Sequence, residues 1–337
     1  MCWICSFLSG RTQQTRVGSS LSAITSLTSG VIQGSVIGPL LFVLFINDIT
    51  LLFSSNKCTC KLYADDLKLY SVLHAEIDCN NLQDHLNAVY DWSQKWQLNI
   101  SYKKCNLMYI GNTHYKPNLL LNNDKLAVVD TVKDLGVAID YRLTFDVHVR
   151  QIVARAFVRA NLIHKCIVSR DIITLMRAFK VYVRPIIEYA SCVWSPYRVN
   201  QVKQIESVQR KFTKRLPGYA LLSYKERLQR LGLESLEMRR LRCDLLYTYK
   251  IVFGLTSEAA KNMFTFTSSL YSINTRGHAY KLYPHNNRIN VRKHFFCERV
   301  ITPWNSLPAI AEDFCSLSSF KCFLNSTDLS MYVSLGF

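Results

Sequence analysis

The sequence predicts an α+β fold. In residues 1–140, short apolar stretches alternate with polar residues and are separated by Ser, Thr, Gly and Asn, which is the pattern of strands and turns. From Phe145 onward, the apolar residues recur every three or four positions, which is the pattern of amphipathic helices. The chain of 337 residues is 49% hydrophobic and 19% charged, a composition that is typical of globular proteins and excludes general disorder.

The first predicted elements depend on turn residues and on one apolar run. Residues 11–31 are rich in Ser, Thr and Gly and predict strands joined by loops. Gly38-Pro39 fits the start of a helix, because proline is tolerated in the first helical turn. Residues 40–46 are apolar on every side, which predicts a buried helix. The whole apolar run is shorter than the roughly 20 residues of a membrane span, so we expect no transmembrane segment.

The later elements follow from periodicity, and Pro or Gly residues mark their ends. Before residue 141 we expect a strand pair over 58–72, a helix over 76–97, a loop and strand over 99–109, and a hairpin over 128–140. Beyond residue 145 the predicted helices cover 172–183, 199–215, 224–231 and 236–253, in addition to the one that begins near Phe145. Residues 254–290 are polar and loop-rich, and a last unit follows over 291–323.

The net charge indicates a polyanionic partner. The chain carries 41 Lys and Arg against 24 Asp and Glu, a net charge of +17. The charge is uneven, since residues 1–140 are neutral, residues 141–250 carry +14 and residues 251–337 carry +3. Nucleic acid is the favoured partner, although a solvated basic helix surface is the plain alternative. The twelve Cys residues, without a secretory signal, favour reduced thiols inside the cell.

Two adjacent carboxylates interrupt a strand-like segment at Asp65-Asp66. Asp is disfavoured in strands, so the pair needs an explanation. A hairpin turn is one explanation, because Asp tolerates unusual backbone angles. The other is a divalent metal ion such as Mg²⁺, which prefers hard oxygen ligands and serves phosphoryl transfer.

A second segment, just upstream, places glycines at positions 30, 34 and 38 before the apolar helix. Glycine lets a backbone approach a bulky ligand, and a helix start favours phosphate. No Lys-Ser or Lys-Thr follows, so the segment is not a Walker loop. The spacing alone favours a plain turn.

Together the two segments resemble a known family. GVIQGSVIGPLLFVLFIND at residues 30–48 and YADD at 63–66 resemble the reverse transcriptases of non-LTR retrotransposons, of the LINE type that includes jockey and CR1 elements. The resemblance continues at DLGVAID (134–140), which is similar to the primer-grip hairpin. It also includes the thumb-like segments PIIEYA (185–190) and VWSPY (193–197), and tail-like segments from Arg276 to WNSLP at 304–308.

The resemblance implies an RNA-directed DNA polymerase, a nucleotidyltransferase that uses an RNA template, a DNA primer and deoxynucleoside triphosphates. Asp65 and Asp66 would be catalytic ligands of Mg²⁺ or Mn²⁺. Tyr63 would lie near the primer end. Lys104 would protonate the pyrophosphate leaving group, although a solvated surface lysine is an equal alternative. The template and the incoming nucleotide would be positioned by Gln33, Gly34 and Ser35.

The resemblance also implies a domain order. Residues 1–140 would form part of the palm, an antiparallel sheet with helices. Residues 141–255 would form a basic helical thumb and connection, and residues 256–337 a small C-terminal tail domain. Lys203, Arg210 and Lys214 are seven and four positions apart, so we expect them to share a helix face that contacts the phosphate backbone.

The sequence departs from the family in two ways. Ile32 stands where the family usually has Pro. The segment from Trp3 to Gln13 resembles the part of the family that precedes the glycine motif. The family's first catalytic Asp lies upstream of that part, and residues 1–30 contain no Asp or Glu. We therefore expect a truncated copy or a late-starting gene model, whose polypeptide by itself does not polymerise DNA.

Alternatives remain open at this point. The chain is also compatible with a catalytically dead nucleic-acid-binding protein that uses the basic helices. Another palm polymerase, such as an intron maturase, has a similar YADD segment, but the tail argues against it. We expect an intracellular protein, in the nucleus or the cytoplasm, with no membrane partner.

Overall fold

A computed structural model describes residues 2–53, 58–112, 114–257, 259–270 and 277–334. It divides the chain into two compact units, Met1–Val129 and Asp130–Phe337. Arg276, the first residue of the tail resemblance, lies outside the described residues. Within the described ranges, no helix combines the length and the apolar character that crossing a membrane requires.

The first unit contains short strands and three α-helices among its described residues. The helices are α1 (Cys2–Leu8), α2 (Gly38–Ile46) and α3 (Glu76–Lys95), with 3₁₀ helices at Asn47–Phe53 and Tyr102–Lys104. The strands are β1 (Thr12–Gln13), β2 (Arg16–Val17), β3 (Ser20–Leu21), β4 (Thr25–Ser26), β5 (Thr59–Tyr63), β6 (Asp66–Tyr70), β7 (Asn106–Leu107), β8 (Leu120–Leu121), β9 (Asp124–Lys125) and β10 (Ala127–Val128). The helix over 76–97 and the strand pair over 58–72 are thus confirmed.

The strands of this unit form two-stranded sheets. β1 pairs with β4, β2 with β3, β5 with β6 and β8 with β9, all antiparallel, whereas β10 and β7 are parallel. The longest pair is β5–β6, with five residues in each strand.

The first unit has two apolar clusters, one of them around Leu82 and Leu121 and the other around Trp92. Ile46, Ile49, Val89 and Trp92 are buried together, and we call them the Trp92 cluster. Half-buried side chains from α2 and from the β5–β6 hairpin pack against it, among them Phe42 and Leu62. Apolar burial of this kind contributes about 25 cal/mol per Å².

The prediction of a buried helix over 40–46 is wrong. Gly38 and Ile46 are buried, but Leu40 and Leu44 are 60% and 66% exposed, and Val43 and Phe45 are exposed as well. An all-round apolar helix is buried only where other elements cover it on every side. Within the described residues, α2 is covered on the side that faces the Trp92 cluster.

The second unit begins with a hairpin and continues as helices. The hairpin is β11 (Thr131–Asp134) with β12 (Val137–Asp140), antiparallel. The long helices are α4 (Asp146–Cys166), α5 (Ile172–Tyr182), α8 (Val199–Lys214), α9 (Tyr224–Leu231), α10 (Leu236–Val252) and α16 (Leu317–Ser326). Short helices are α6 (Arg184–Glu188), α7 (Ser191–Trp194), α11 (Ala260–Met263), α12 (Thr267–Leu270), α13 (Asn290–Lys293), α14 (Phe296–Arg299) and α15 (Ile301–Asn305), and 3₁₀ helices lie at Ala311–Phe314 and Ser330–Tyr332.

Two apolar clusters stabilise the second unit. The first joins α4, α5 and α8 through buried residues such as Ile152, Phe179 and Phe212. The second joins α10 to the tail helices around Trp304 and Phe320, both fully buried. The predicted periodicity over 172–253 and the α+β class are confirmed.

The hairpin loop between β11 and β12 shows why a glycine is needed there. Gly136 has φ of +89°, and a Cβ atom would lie 3.3 Å from Cε1 of Tyr189. The Tyr189 hydroxyl donates a hydrogen bond of 2.9 Å to the Leu135 carbonyl. The segments 134–140 and 185–190, which the resemblance singled out separately, are therefore in contact within this unit.

A buried histidine makes the second unit sensitive to acid. His148 is 2% exposed, and its Nδ1 accepts a hydrogen bond of 3.2 Å from the Ala138 N–H, so the ring is neutral. Burial, with a further contribution from the Arg155 charge, lowers the pKa of His148 to about 4 from 6.5. Protons therefore bind the unfolded chain before the folded one as the pH falls below 6.5.

We expect the free energy of unfolding to fall by roughly 2 kcal/mol between pH 7 and pH 4.5 because of His148. The His148→Gln variant, which keeps a hydrogen-bond acceptor, should lose this part of the pH dependence. Urea denaturation followed by the intrinsic fluorescence of the chain measures the effect, and Trp194, whose ring centroid lies 5.2 Å from that of His148, contributes to this signal. An unchanged pH slope in the variant would contradict the assignment.

Candidate functional site

The Asp pair lies at the tip of the β5–β6 hairpin. Tyr63 pairs with Asp66 and Leu62 with Leu67, so the loop consists of Ala64 and Asp65. Ala64 has φ of +50°, a left-handed backbone conformation that tight hairpin loops require and that costs a non-glycine residue about 1 kcal/mol.

The two faces of this hairpin have different surroundings. Leu62, Leu67 and Leu69 are half-buried and pack against the Trp92 cluster. Asp65, Asp66 and Tyr63 are exposed, and 65% of the Tyr63 surface is accessible to solvent. The apolar face thus anchors the hairpin, while the carboxylates of Asp65, in the loop, and Asp66, the first residue of β6, extend into solvent.

The carboxylate pair fits a divalent cation as part of a ligand set. Adjacent carboxylate oxygens are hard ligands, and Mg²⁺ commonly uses one or two carboxylates with water and substrate phosphates. Among the described residues, no group of three or more His, Cys, Asp and Glu side chains is placed to hold a metal ion. The pair can therefore supply two ligands, and further ligands must come from elsewhere.

The glycine segment forms the entry to α2. The Ser35 hydroxyl donates to the Ile32 carbonyl at 2.7 Å and accepts from the Gly38 N–H at 3.1 Å. A Cβ atom at Gly38 would lie 2.8 Å from Ser35 Oγ, so this close approach requires glycine. Gln33 and Gly34 are exposed, whereas the Ser35 hydroxyl is used to begin the helix.

Lys104 ends the 3₁₀ helix Tyr102–Lys104 and is exposed. Its carbonyl accepts a hydrogen bond of 3.1 Å from Asn106 Nδ2. In the described part of the chain, no hydrogen bond or ion pair joins the Lys104 side chain to Asp65 or Asp66. The structure thus does not bring the predicted proton donor into contact with the carboxylates.

Asp48 is a residue that sequence reasoning missed. It is half-buried in the 3₁₀ helix after α2, and its Oδ1 accepts a hydrogen bond of 2.9 Å from Trp92 Nε1. The bond joins residues 44 positions apart and fixes the indole at the centre of the Trp92 cluster. The sequence contains one signal for this bond: an Asp lies directly after the apolar helix, and a Trp, whose indole N–H needs an acceptor when it is buried, lies on the next helix.

The predicted basic residues lie on one helix, α8. Lys203, Arg210 and Lys214 are exposed, and we call them the cationic stripe. The opposite side of the helix is buried through residues such as Ile205 and Val208. The Arg210 guanidinium lies 4.7 Å from the centre of the Tyr224 ring, which limits its motion.

Paired carboxylates for metal ions and cations for phosphates are features that nucleic-acid polymerases use. Residues 1–139 match the family model described as reverse transcriptase (RNA-dependent DNA polymerase). Residues 1–139 are therefore similar to reverse transcriptases, as the motifs predicted.

The curated relatives agree with this assignment. The chain is 27% identical over 220 residues to a probable RNA-directed DNA polymerase from transposon X-element of Drosophila melanogaster, and 27% identical over 226 residues to the RNA-directed DNA polymerase from mobile element jockey of the same species. Each alignment covers 63% of this chain and 24% of the relative. A probable RNA-directed DNA polymerase from transposon BS is 28% identical over 220 residues. The chain thus spans about a quarter of the length of these relatives. No solved structure is significantly similar to it.

We expect Asp48→Ala to destabilise the first unit by about 1–3 kcal/mol, because the indole N–H loses a charged acceptor in a half-buried place. Asp48→Asn keeps an acceptor and should lose less than half as much. Thermal unfolding of both variants measures the difference. Equal loss in the two variants would show that the hydrogen bond is unimportant.

Proposed function

We propose that the chain is part of an RNA-directed DNA polymerase of a non-LTR retrotransposon, and that Asp65 and Asp66 are ligands of its catalytic metal ions. The observation that carries the proposal is the exposed carboxylate pair at a two-residue hairpin tip inside the matched residues 1–139. A bound Mg²⁺ or Mn²⁺ would supply charge neutralisation and activation of the attacking hydroxyl. We place the protein inside the cell.

The side chains around the pair would bind and orient substrates. Tyr63 precedes the carboxylates on the hairpin and exposes its ring, which suits contact with the primer end. Gln33 and the Gly34 backbone are accessible for template and deoxynucleoside triphosphate. Ser35 would act through the conformation of this turn, since its hydroxyl already bonds Ile32 and Gly38. Lys104 would require a conformational change or bound pyrophosphate to meet the reacting groups.

The cationic stripe would hold the template–primer duplex by its phosphates. Lys and Arg that neutralise phosphates release counterions, and this makes the affinity fall with salt. We assign residues 1–140 to a palm, 141–255 to a thumb and 256–337 to a tail domain. The first compact unit ends at Val129, whereas the proposed palm ends at residue 140. The β11–β12 hairpin would therefore belong to the palm although it lies in the second compact unit.

We expect the 337-residue polypeptide by itself not to extend a primer on an RNA template. Two-metal phosphoryl transfer holds the ions about 3.5–4 Å apart, and two adjacent carboxylates alone do not supply the ligands for that spacing. Primer extension by the purified chain, abolished in Asp65→Ala, would refute this expectation.

Complementation tests the polymerase assignment directly. The amino-terminal polymerase segment of the jockey relative, added in trans, should permit extension with the wild-type chain. Extension should be lost with Asp65→Ala and with Asp66→Ala, whereas Asp84→Ala, an exposed carboxylate on α3, serves as the matched control. Absence of extension in every mixture, despite complex formation, would argue against the catalytic role.

A catalytically inactive nucleic-acid-binding protein is the second candidate, favoured by the net charge of +17 and by the exposed cationic stripe. Two results together would favour this candidate over the polymerase. The well-folded chain would bind RNA with an affinity that falls with added salt, and complementation would yield no primer extension.

A further inference from the structure

A cleft in the second unit lies between α4 and α8. Its volume is about 410 Å³, within the range of small-ligand sites. Phe157, Asn161 and His164 line it from α4, and Lys211, Phe212 and Lys214 line it from α8. Arg215, the residue after α8, completes the rim. None of the residues that line the cleft is acidic.

The interior of the cleft is aromatic. The ring centroids of His164 and Phe212 are 4.5 Å apart, and Phe212 is buried. Burial lowers the pKa of His164, so the imidazole is neutral and presents a ring without a charge. His164 also interacts with the Phe212 backbone, and its Nε2 atom is buried.

The rim of the cleft is cationic. The Lys211 Nζ atom lies 4.8 Å from the centre of the Phe157 ring, and Arg215 Nη1 donates a hydrogen bond of 2.6 Å to Asn161 Oδ1. Cations at the end of α8 also interact favourably with the helix dipole. The helix dipole accounts for cations at this helix end, but it does not account for the aromatic cleft that these cations surround. Lys214 belongs both to this rim and to the cationic stripe, so the two surfaces are continuous along α8.

We propose that this cleft binds the base of an unpaired nucleotide, while Lys211, Lys214 and Arg215 contact the adjacent phosphates. A π-face inside and cations outside are the combination by which proteins bind single strands without reading sequence. A base-paired nucleotide cannot enter, because its base is stacked within the duplex. The inference rests on the proposed binding of nucleic acid by α8 and assigns a distinct substrate class, the single strand, to this cleft.

Substitution tests the cleft against the stripe. Phe157→Leu keeps an apolar side chain but removes the ring, and we expect it to weaken binding of a short single-stranded RNA about tenfold while duplex affinity is unchanged. Val158→Ala, the exposed neighbour outside the cleft, is the matched control. Lys203→Ala should lower the affinity for single-stranded RNA and for the duplex by the same factor. Fluorescence anisotropy at fixed salt measures the affinities.

The wild-type chain gives a second, variant-free test. Single-stranded RNA that contains 5-iodouracil should form photocrosslinks within residues 157–164 or 208–215, the two segments that line the cleft, as mapped by mass spectrometry. Crosslinks confined to other segments, or equal losses for single strand and duplex in Phe157→Leu, would overturn the cleft proposal while leaving nucleic-acid binding intact. Absence of binding to either RNA would refute both the cleft and the proposed function.

A separate observation concerns two thiols. Cys192 on α7 and Cys243 on α10 have their Sγ atoms 3.8 Å apart. Cys243 is exposed and Cys192 is half-buried. A hydrogen bond from the Cys192 thiol lowers the pKa of Cys243 to about 7, and that same bond, together with burial, raises the pKa of Cys192. Cys243 is therefore the nucleophilic member of the pair.

We infer that peroxide converts Cys192 and Cys243 into a disulfide that joins α7 to α10. The Cys243 thiolate attacks one oxygen of hydrogen peroxide, the O–O bond breaks, and hydroxide leaves to take up a proton. The Cys192 sulfur then displaces hydroxide from the resulting sulfenic acid. Two thiols lose two electrons, peroxide gains them, and two waters form.

Peroxide treatment of the full chain, followed by non-reducing digestion, should yield a Cys192–Cys243 crosslinked peptide that dithiothreitol cleaves. Cys243→Ser and Cys192→Ser should each abolish it, whereas Cys166→Ser, at an exposed cysteine on α4, should not. Recovery of Cys243 as a sulfinic acid, or in a disulfide with another cysteine, would overturn the inference.

Discussion

The packing of one hairpin face against the Trp92 cluster determines where the candidate site lies. Leu62, Leu67 and Leu69 face this cluster, so the alternation of the strands directs Tyr63 and the Asp pair to solvent. A shift of the register by one residue would exchange the two faces and bury the carboxylates. The leucines and the two-residue loop thus position charged groups that have no direct contact with the core. Asp48 contributes from outside the hairpin by holding the Trp92 indole.

The second unit uses one helix for two purposes. The inner side of α8 is buried, and it includes the fully buried Glu206, which accepts hydrogen bonds from the Tyr224 hydroxyl and the Leu236 N–H. Burial raises the pKa of Glu206 despite these bonds. The outer side carries the cations. Because the inner side of α8 packs against α4, α9 and α10, the cations on its outer side extend from an anchored helix, which supports the proposed contact with phosphates.

The sequence was sufficient for what is local. Periodicity predicted the long helices, and the Asp pair between strand-like segments predicted the hairpin. Both predictions succeeded because side-chain alternation and turn preferences depend on residues that are close in the sequence. Burial of residues 40–46 was predicted wrongly, since burial depends on covering elements that no local pattern describes. The bond from Trp92 to Asp48 and the cleft between α4 and α8 join residues about 40 to 60 positions apart. Such contacts arise only when the chain is folded. The motifs indicated the family, but not that the Ser35 hydroxyl accepts a hydrogen bond from the Gly38 N–H at the start of α2.

Among the described residues, the exposed apolar side of α2 and the cations of α8 are two surfaces with opposite responses to salt. Added salt screens the cations of α8 and would weaken the proposed binding of phosphates. Strongly hydrated salts such as sulfate at the same time strengthen the association of apolar surfaces, here Leu40, Val43 and Leu44. If α8 binds nucleic acid as proposed, a strongly hydrated salt that weakens this binding would at the same time favour association of the apolar side of α2 with other apolar surfaces.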